Sequence, residues 1–318
     1  MLPVQAKDGG KKRKKDSEKS ELPAVMWQEP KDIATRDLFY GSGSKDKLPK
    51  PPFKFVKEDP NETQPKFDVE DANGQRWRVK VGIEAQSETA ATRIVWAAGY
   101  FTDEDYYFPE IKVEGIPKLK RGQKYVSADG TVHGVRMEWR PKGVKTLDNW
   151  NWFDNPFVGT REFNGLRVLM ALINNWDLLP GNSKIYDENG KRVFVVSDLG
   201  ESFGNGPQYF SRWCNDPSKY AHSKFIKHTA ATSIDVAIHS HEPLYNLVYS
   251  PIAFFQYIHA EHVGDDIPRT DAKWMGELLS KLSDSQLRDA FRAGGYNEVQ
   301  TDLMLRELKS RIQLLTSL

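Results

Sequence analysis

Lys66-Phe67-Asp68-Val69-Glu70-Asp71-Ala72-Asn73-Gly74-Gln75-Arg76-Trp77-Arg78-Val79-Lys80-Val81 is the stretch whose reading decides the fold. Asn73-Gly74 lies between two runs of alternating polarity. That is the strongest short-range signal for a β-hairpin, because Asn and Gly adopt left-handed backbone at little cost. Lys66–Glu70 and Arg76–Val81 are therefore read as its strands. Successive side chains of a strand point to opposite faces. Trp77, Val79 and Val81 face one way, and Arg76, Arg78 and Lys80 the other.

Outward from the hairpin, Phe53-Lys54-Phe55-Val56 alternates and reads as a preceding strand. A helix is expected after it, with Ser87 as N-cap, an apolar stripe of Ala91, Ile94, Val95 and Ala98, and Gly99 as its stop. Residues 102 to 158 resist ordering. They hold a strand-like piece at Val135–Trp139 and the Trp150/Trp152 pair, read as core packing. Thr160–Trp176 reads as one long buried helix, since Phe163, Leu166, Leu169, Met170, Leu172 and Ile173 leave little polar surface. Ser183–Tyr186 and Arg192–Ser197 read as strands about a turn at 187–190. The remainder is mainly helical. Ser283-x-x-Gln286 is a capping box, Gly294-Gly295 a stop, and Met304, Leu308, Ile312 and Leu315 the buried face of a last helix.

Composition sets the bounds. The 318 residues are 39% hydrophobic and 28% charged, ordinary globular values and enough for one large domain or two lobes. A net charge of +1 gives no global field that argues for nucleic acid. The single cysteine, Cys214, excludes an internal disulfide framework and a cysteine-only zinc site. No apolar run approaches the roughly 18 residues of a membrane span. Residues 1–50 read as a flexible lead-in: a basic run at Lys11–Lys15, then the proline-rich linker Lys45–Pro52. As written the chain is expected in the cytoplasm. Val4-Gln5-Ala6 has the small-residue pattern of a signal-peptide cleavage site, and would imply export if the start lay inside a longer leader.

Four features carry chemistry, in a telling order. Lys80 sits on a strand, Glu88 opens the next helix, Asp177 and Asn182 follow the buried helix at D-x-x-x-x-N spacing, and Asp198-Leu199-Gly200 follows a β-rich segment. A transferred phosphoryl group spreads negative charge over its oxygens, so a protein must fix cations around it. Lys80 supplies a point charge to the inner phosphates. Asp198 and Asn182 supply oxygens to Mg²⁺, a hard cation. Asp177 takes the proton of, or orients, the attacking hydroxyl. Glu88 falls on the helix face of Ala91 and Val95, where a buried carboxylate needs a partner, and Lys80 is suited to be one. Should Glu88 face solvent, Glu84 becomes the candidate.

This order resembles the protein-kinase-like superfamily over roughly residues 53 to 204. Lys80 resembles the strand lysine, Glu88 the helix glutamate, Asp177 and Asn182 the catalytic-loop pair, and Asp198-Leu199-Gly200 the metal-binding Asp-Phe-Gly. The turn Asn61-Glu62-Thr63-Gln64-Pro65-Lys66 is similar to the phosphate loop of HipA-like kinases, which nominates Thr63 and Lys66 as nucleotide contacts. The likeness is to atypical groups, HipA-like, CotH-like and phosphatidylinositol-kinase-like. It implies an α+β, bilobal fold: an antiparallel β-rich N-lobe with one helix over residues 51–145, and a mainly helical C-lobe over 146–318. It implies an ATP- and Mg²⁺-dependent phosphotransferase, with Mn²⁺ an acceptable metal, whose phosphate acceptor is unnamed. The chain departs from the pattern in lacking a G-x-G-x-x-G loop and an Ala-Pro-Glu motif, and in having Asn175-Trp176 where His-Arg precedes the aspartate. Those departures keep open a catalytically inactive nucleotide- or ligand-binding pseudokinase.

Two other readings compete. Six of the seven histidines fall between His222 and His262. His239-Ser240-His241-Glu242 and His259-x-x-His262, with Asp265 or Asp266, would suit a metal hydrolase, although neither stretch is H-E-x-x-H. The aromatic residues Trp139, Trp150, Trp152 and Phe157 would otherwise suit a ligand-binding surface.

Overall fold

The chain is described by a computed structural model over residues 22–60, 64–140, 143–179, 181–204, 206–208, 211–238 and 260–318. The hairpin that opened the reading is present. Strands β3 (Lys66–Glu70) and β4 (Arg76–Val81) pair antiparallel, Lys66 opposite Lys80 and Glu70 opposite Arg76. The turn spans five residues, not two. Asp71 organises it, its carboxylate accepting from the backbone N–H of Asn73 and Gln75 and from the Trp77 indole.

The hairpin is part of a closed five-stranded barrel, in the order β2 (Phe53–Asp59), β3, β4, β6 (Thr131–Trp139), β5 (Asp105–Glu114). Closure comes from a short parallel pairing of Phe53 and Lys54 with Val113 and Glu114. The unordered stretch from residue 102 thus holds two of the longest strands. Phe67, Val69, Trp77, Val79, Val81, Val132, Val135 and Met137 fill the barrel interior, so the outer face of the same strands carries the charges.

Helix α1 (Glu84–Ala97) lies against that outer face. Its expected stripe, Ala91, Ile94, Val95 and Ala98, is fully buried, but in the larger core of the helical part and not in the barrel interior. The helix is therefore shared: its apolar side belongs to one lobe and its charged side meets the other. It begins at Glu84, three residues before the expected cap. Ser87 is an interior residue whose hydroxyl donates to the carbonyls of Glu84 and Gly200.

A second sheet, β7 (Lys145–Asn149), β8 (Lys184–Glu188), β9 (Lys191–Val195) and β1 (Ala24–Val25), shares the larger core with α2 (Arg161–Leu172) through Ile185 and Phe194. The turn between β8 and β9 has Asn189 and Gly190 both at positive φ, 53° and 73°, as a two-residue hairpin requires. Helix α2 starts at the Thr160 cap but ends at Leu172, short of Trp176. Asn174 takes φ 53° and donates to the Gly204 carbonyl, while Phe203 N–H bonds to Ile173 O, so a distant segment captures the chain and stops the helix.

Short hairpins follow, β10 (Gly206–Gln208) with β11 (Ser211–Trp213), and β12 (Ile226–Thr229) with β13 (Ser233–Val236), the latter joined by β14 (Ile267–Pro268). Helices α3 (Pro217–His222), α4 (Arg269–Leu279), α5 (Asp284–Ala293) and α6 (Glu298–Thr316) complete the described chain. The Ser283/Gln286 capping box and the buried Met304, Leu308, Ile312 and Leu315 are as expected. The fold class is α+β, β-rich in its first half and mainly helical in its second.

The expectation of an uncored lead-in through residue 50 fails for residues 22–50. Met26, Ile33 and Leu38 are buried in the larger core, and β1 pairs with β9, Ala24 opposite Arg192. Gln286 donates to the carbonyls of Ile33 and Arg36, and Lys47 pairs with Glu104 at 2.8 Å. These anchors are widely spaced apolar residues without a period, so no stripe announced them. The basic run at 11–15 lies outside the described residues.

Candidate functional site

Lys80 is delivered by β4 to the seam between barrel and helices, where only 1% of its side chain is exposed. Its ammonium lies 2.7 Å from Glu84, 2.8 Å from Glu88 and 2.8 Å from Asp198. Glu84 and Glu88 are one turn apart, so a single helix face presents both. Burial alone would drive the lysine towards its neutral form. Glu88, Asp198 and Glu84 outweigh it and hold the Lys80 pKa well above the ordinary value. Burial dominates at Glu88 and leaves its pKa raised, despite Arg136 and Lys80. At Glu84 burial is overcome by Lys80 and by a hydrogen bond with Glu201, so its pKa is lowered. Burial also opposes ionisation at Asp198, but Lys80 and then Lys66 bring its pKa down to about 2.

Arg136 stands beside the lysine because β4 and β6 are in register, Lys80 opposite Arg136. Its guanidinium reaches the second oxygen of Glu88 at 3.3 Å, Asp105 at 2.7 Å and Glu138 at 2.9 Å. Asp105 in turn binds Arg93 of α1 at 2.9 Å and accepts from Thr92. Helix α1 is thus tied to the barrel by buried, paired charges from Glu84 to Arg93.

The loop carrying Asp198 is fitted to the same helix. A Cβ added at Gly200 would lie 2.8 Å from both Cβ and Oε2 of Glu84, so a glycine is required there. Leu199 is buried, and Asp198 takes φ 54°, left-handed backbone that a non-glycine residue holds only where its surroundings impose it. The strained residue is the one that reaches Lys80.

Asp177 and Asn182 share the loop after α2. Asn182 donates to the Asp177 carbonyl at 2.9 Å, and Asp177 N–H bonds to Asn175 Oδ1 at 3.1 Å, which closes the loop on itself. Lys66 stands opposite Lys80 in the strand register and acts on Asp198 by its charge. Thr63 lies outside the described residues. Its neighbour Gln64 donates to Glu84.

Glu84, Glu88 and Asp198 each offer a carboxylate oxygen within 4.8 Å of the others, the group of this kind among the described residues able to hold a metal ion. The Lys80 ammonium meets all three, so a cation already fills that cluster, and a hard cation such as Mg²⁺ or Mn²⁺ would be met by the second oxygen of Asp198. The histidine alternative draws on His239, His241 and His259, which lie outside the described residues. Of the rest, His262 bonds Asp265 at 2.7 Å and His222 bonds the Ser218 carbonyl. Trp150 and Trp152 are buried against each other and Phe163, so they are core and not a binding surface.

Sequence reasoning found Lys80, Glu88 and Asp198, which the fold brings together. It held Glu84 only in reserve and missed Arg136, Gln64 and Glu201. The spacing Glu84-x-x-x-Glu88 was the available signal for the first. Arg136 was hidden because only the pairing of β6 with β4 puts it there.

No family profile and no curated protein matches the chain. Among solved structures, the chain is similar to the Helicobacter pylori proinflammatory kinase CtkA, with TM-score 0.45 and 11% identity over 84% of this chain and 97% of that one. It is similar to the Golgi casein kinase, with TM-score 0.37 and 12% identity over 85% and 73%. A form of the Golgi casein kinase with Mn/ADP bound gives TM-score 0.37 and 11% identity over 96% and 91%. Likeness at this level adds no weight to the site, whose chemistry rests on its own side chains. Among the described residues, no helix is long and apolar enough to cross a membrane.

Proposed function

We propose that the chain is an ATP-dependent phosphotransferase of the protein-kinase-like superfamily, in the atypical group that its Asn61–Lys66 turn resembles. The observation that carries this is the convergence on Lys80. One lysine joins a barrel strand, a helix glutamate and the aspartate of Asp198-Leu199-Gly200, at 2.8 Å to each carboxylate. The nucleotide lies in the cleft between barrel and helices. Lys80 faces the inner phosphates, held by Glu88. Lys66, the first residue of β3, flanks the phosphates. Asp198 and Asn182 hold the divalent metal, Mg²⁺ or Mn²⁺, which when bound supplies positive charge against the phosphate oxygens. Asp177 accepts the proton of the acceptor hydroxyl as its oxygen bonds to the γ-phosphorus and the bond to ADP breaks.

Three carboxylates, Glu84, Glu88 and Asp198, share the ammonium of Lys80, and of the three only Asp198 keeps a sizeable part of its side chain exposed, 36%, which suits it to meet a metal cation as well. A ligand that binds only the folded chain raises the melting temperature by mass action. ATP with Mg²⁺ or Mn²⁺ is expected to raise Tm in the wild type and not in Asp198→Ala. Asp177→Ala is expected to keep the shift and lose transfer. No shift at millimolar nucleotide with either metal would refute the nucleotide site, and full transfer by Asp177→Ala would refute its role.

A further inference from the structure

The connection between β5 and β6 is the most basic surface loop of the barrel. Pro117-Lys118-Leu119-Lys120-Arg121-Gly122-Gln123-Lys124-Tyr125 carries four cations, and no acid occurs between Glu114 and Asp129. Lys118, Lys120, Arg121 and Lys124 are all exposed. Solvated lysines are common on loops, so the charge alone proves little. The way the loop is held is more telling.

Leu119 is buried in the barrel core and anchors the loop. The Glu58 carboxylate accepts from the backbone N–H of Lys120 at 3.1 Å and of Arg121 at 2.9 Å. Gln123 Oε1 accepts from Leu119 N–H at 2.8 Å. Glu58 is thus spent on fixing the backbone between two cations, and the side chains it leaves outward are positive.

The loop is also aimed. Gly122 takes left-handed backbone at φ 77°, and a Cβ there would meet Pro65 at 2.6 Å and Val81 at 3.4 Å. A Cβ at Gly82 would lie 3.1 Å from the Tyr125 hydroxyl. Pro65, Val81 and Gly82 adjoin Lys66, Lys80 and the first turn of α1. The cationic loop therefore packs on the backbone next to the candidate phosphate-binding lysines, at the rim of the proposed nucleotide site.

We propose that this rim is a docking surface for an acidic polypeptide segment of the phosphate acceptor. The inference rests on the cleft being the nucleotide site. Lys66 and Lys80 lie inside it to meet the phosphates of a nucleotide, which leaves the exposed lysines of the rim, Lys118, Lys120 and Lys124, for a different anion. They are spread along seven residues of an exposed loop. That distribution suits an extended chain of carboxylates and is poorly suited to a compact polyphosphate. Charge complementarity of this kind governs encounter and orientation more than final affinity.

The test uses the full chain and a fluorescein-labelled oligoglutamate of about ten residues, read by fluorescence anisotropy. The wild type is expected to bind at low salt. Binding should weaken as salt shortens the screening length from about 10 Å at 0.1 M to about 3 Å at 1 M. The variant Lys118→Ser/Lys120→Ser/Arg121→Ser/Lys124→Ser should bind about tenfold more weakly or not at all. A control with the same charge change elsewhere, Lys31→Ser/Lys224→Ser/Lys281→Ser/Arg306→Ser, should bind as the wild type does. Both variants should keep the wild-type Tm shift with ATP and metal, since neither touches the cleft interior. No wild-type binding, or equal loss in both variants, overturns the proposal. Loss of the ATP shift in the rim variant overturns it in favour of a nucleotide role. Tighter, rim-dependent binding of inositol hexakisphosphate than of the peptide overturns it in favour of a small polyanion. If the wild type shows no ATP shift but still binds the peptide through the rim, the nucleotide reading fails and the docking surface stands.

Discussion

Helices α1 and α6 are held by opposite means. In α6, Asn297 accepts from Gln300 N–H at 2.9 Å and Gln300 returns a bond to Asn297 N–H at 3.1 Å, so the first turn is capped within four residues. Its buried face is a single apolar stripe apart from Thr301 and Arg311. Helix α1 has no side-chain cap at Ile83, and buries Glu84, Ser87, Glu88, Thr89, Thr92 and Arg93 together with its alanines. Its start is fixed from outside, by Lys80 on a strand, Gly200 on a loop, and Asn215, which donates to the Ile83 carbonyl at 3.1 Å. Local rules build α6. Tertiary charge pairing builds α1, and that is the helix at the site.

The sharpest way to break this contrast is to delete one lysine from each side of it. Lys80→Met leaves Glu84, Glu88 and Asp198 crowded without their shared cation. Removing one partner of a buried pair typically costs about 3–5 kcal/mol. Lys309 also makes an ion pair, with Asp284 at 2.6 Å, but the two side chains are 47% and 65% exposed. Such surface pairs contribute about 0–1 kcal/mol, so Lys309→Met should be nearly silent. Urea denaturation of both variants measures the difference. Adding Glu88→Leu to Lys80→Met should recover part of the loss, and not all, because Glu84 and Asp198 remain and Arg136 loses a partner. Equal costs at Lys80 and Lys309 would mean that the α1 charges are solvated.

Gly200→Ala probes the same helix from the loop. The new methyl would meet Glu84 at 2.8 Å, a separation at which the helix or the loop must move. Overpacking of this kind costs about 1–3 kcal/mol. The expected signature is a loss of stability coupled to a weakened ATP-dependent shift, since Glu84 and Asp198 would no longer reach Lys80 together. Unchanged nucleotide binding in Gly200→Ala would separate the loop's packing from the site.

The same division explains what the sequence disclosed. The hairpin at Asn73-Gly74, the Ser283 capping box and the stripe from Met304 to Leu315 are short-range patterns, and each stands where it was expected. Lys80, Glu88 and Asp198 were legible by their order along the chain. The first turn of α1 was not, because Ser87 has the composition of a cap while its hydroxyl serves Gly200, more than a hundred residues away. Residues 102–139 disclosed only the end of β6, Val135–Trp139, and hid β5, since outward positions of these strands are occupied by Asp105, Arg136 and Glu138, buried charges that blur the alternation of a strand. Met26, Ile33 and Leu38 were hidden by irregular spacing.

The smallest expected effect completes the comparison. Asn297→Ala removes one capping acceptor from α6, leaving the Gln300 N–H without its side-chain partner. Loss of such a cap costs about 0.5–2 kcal/mol, typically near 1. Ser87→Ala removes a side chain that looks equivalent in the sequence, but it breaks the bond to the Gly200 carbonyl at 2.5 Å inside a buried interface. The two variants are therefore expected to differ in kind more than in size. Asn297→Ala should lower the urea midpoint slightly with the ATP-dependent Tm shift intact, because α6 makes no contribution to the Lys80 cluster. Ser87→Ala should lower both, because the Gly200 carbonyl then lies buried without that donor and the Asp198 loop loosens against α1. If Ser87→Ala left the ATP shift untouched while Asn297→Ala reduced it, the assignment of local support to α6 and site support to α1 would be reversed.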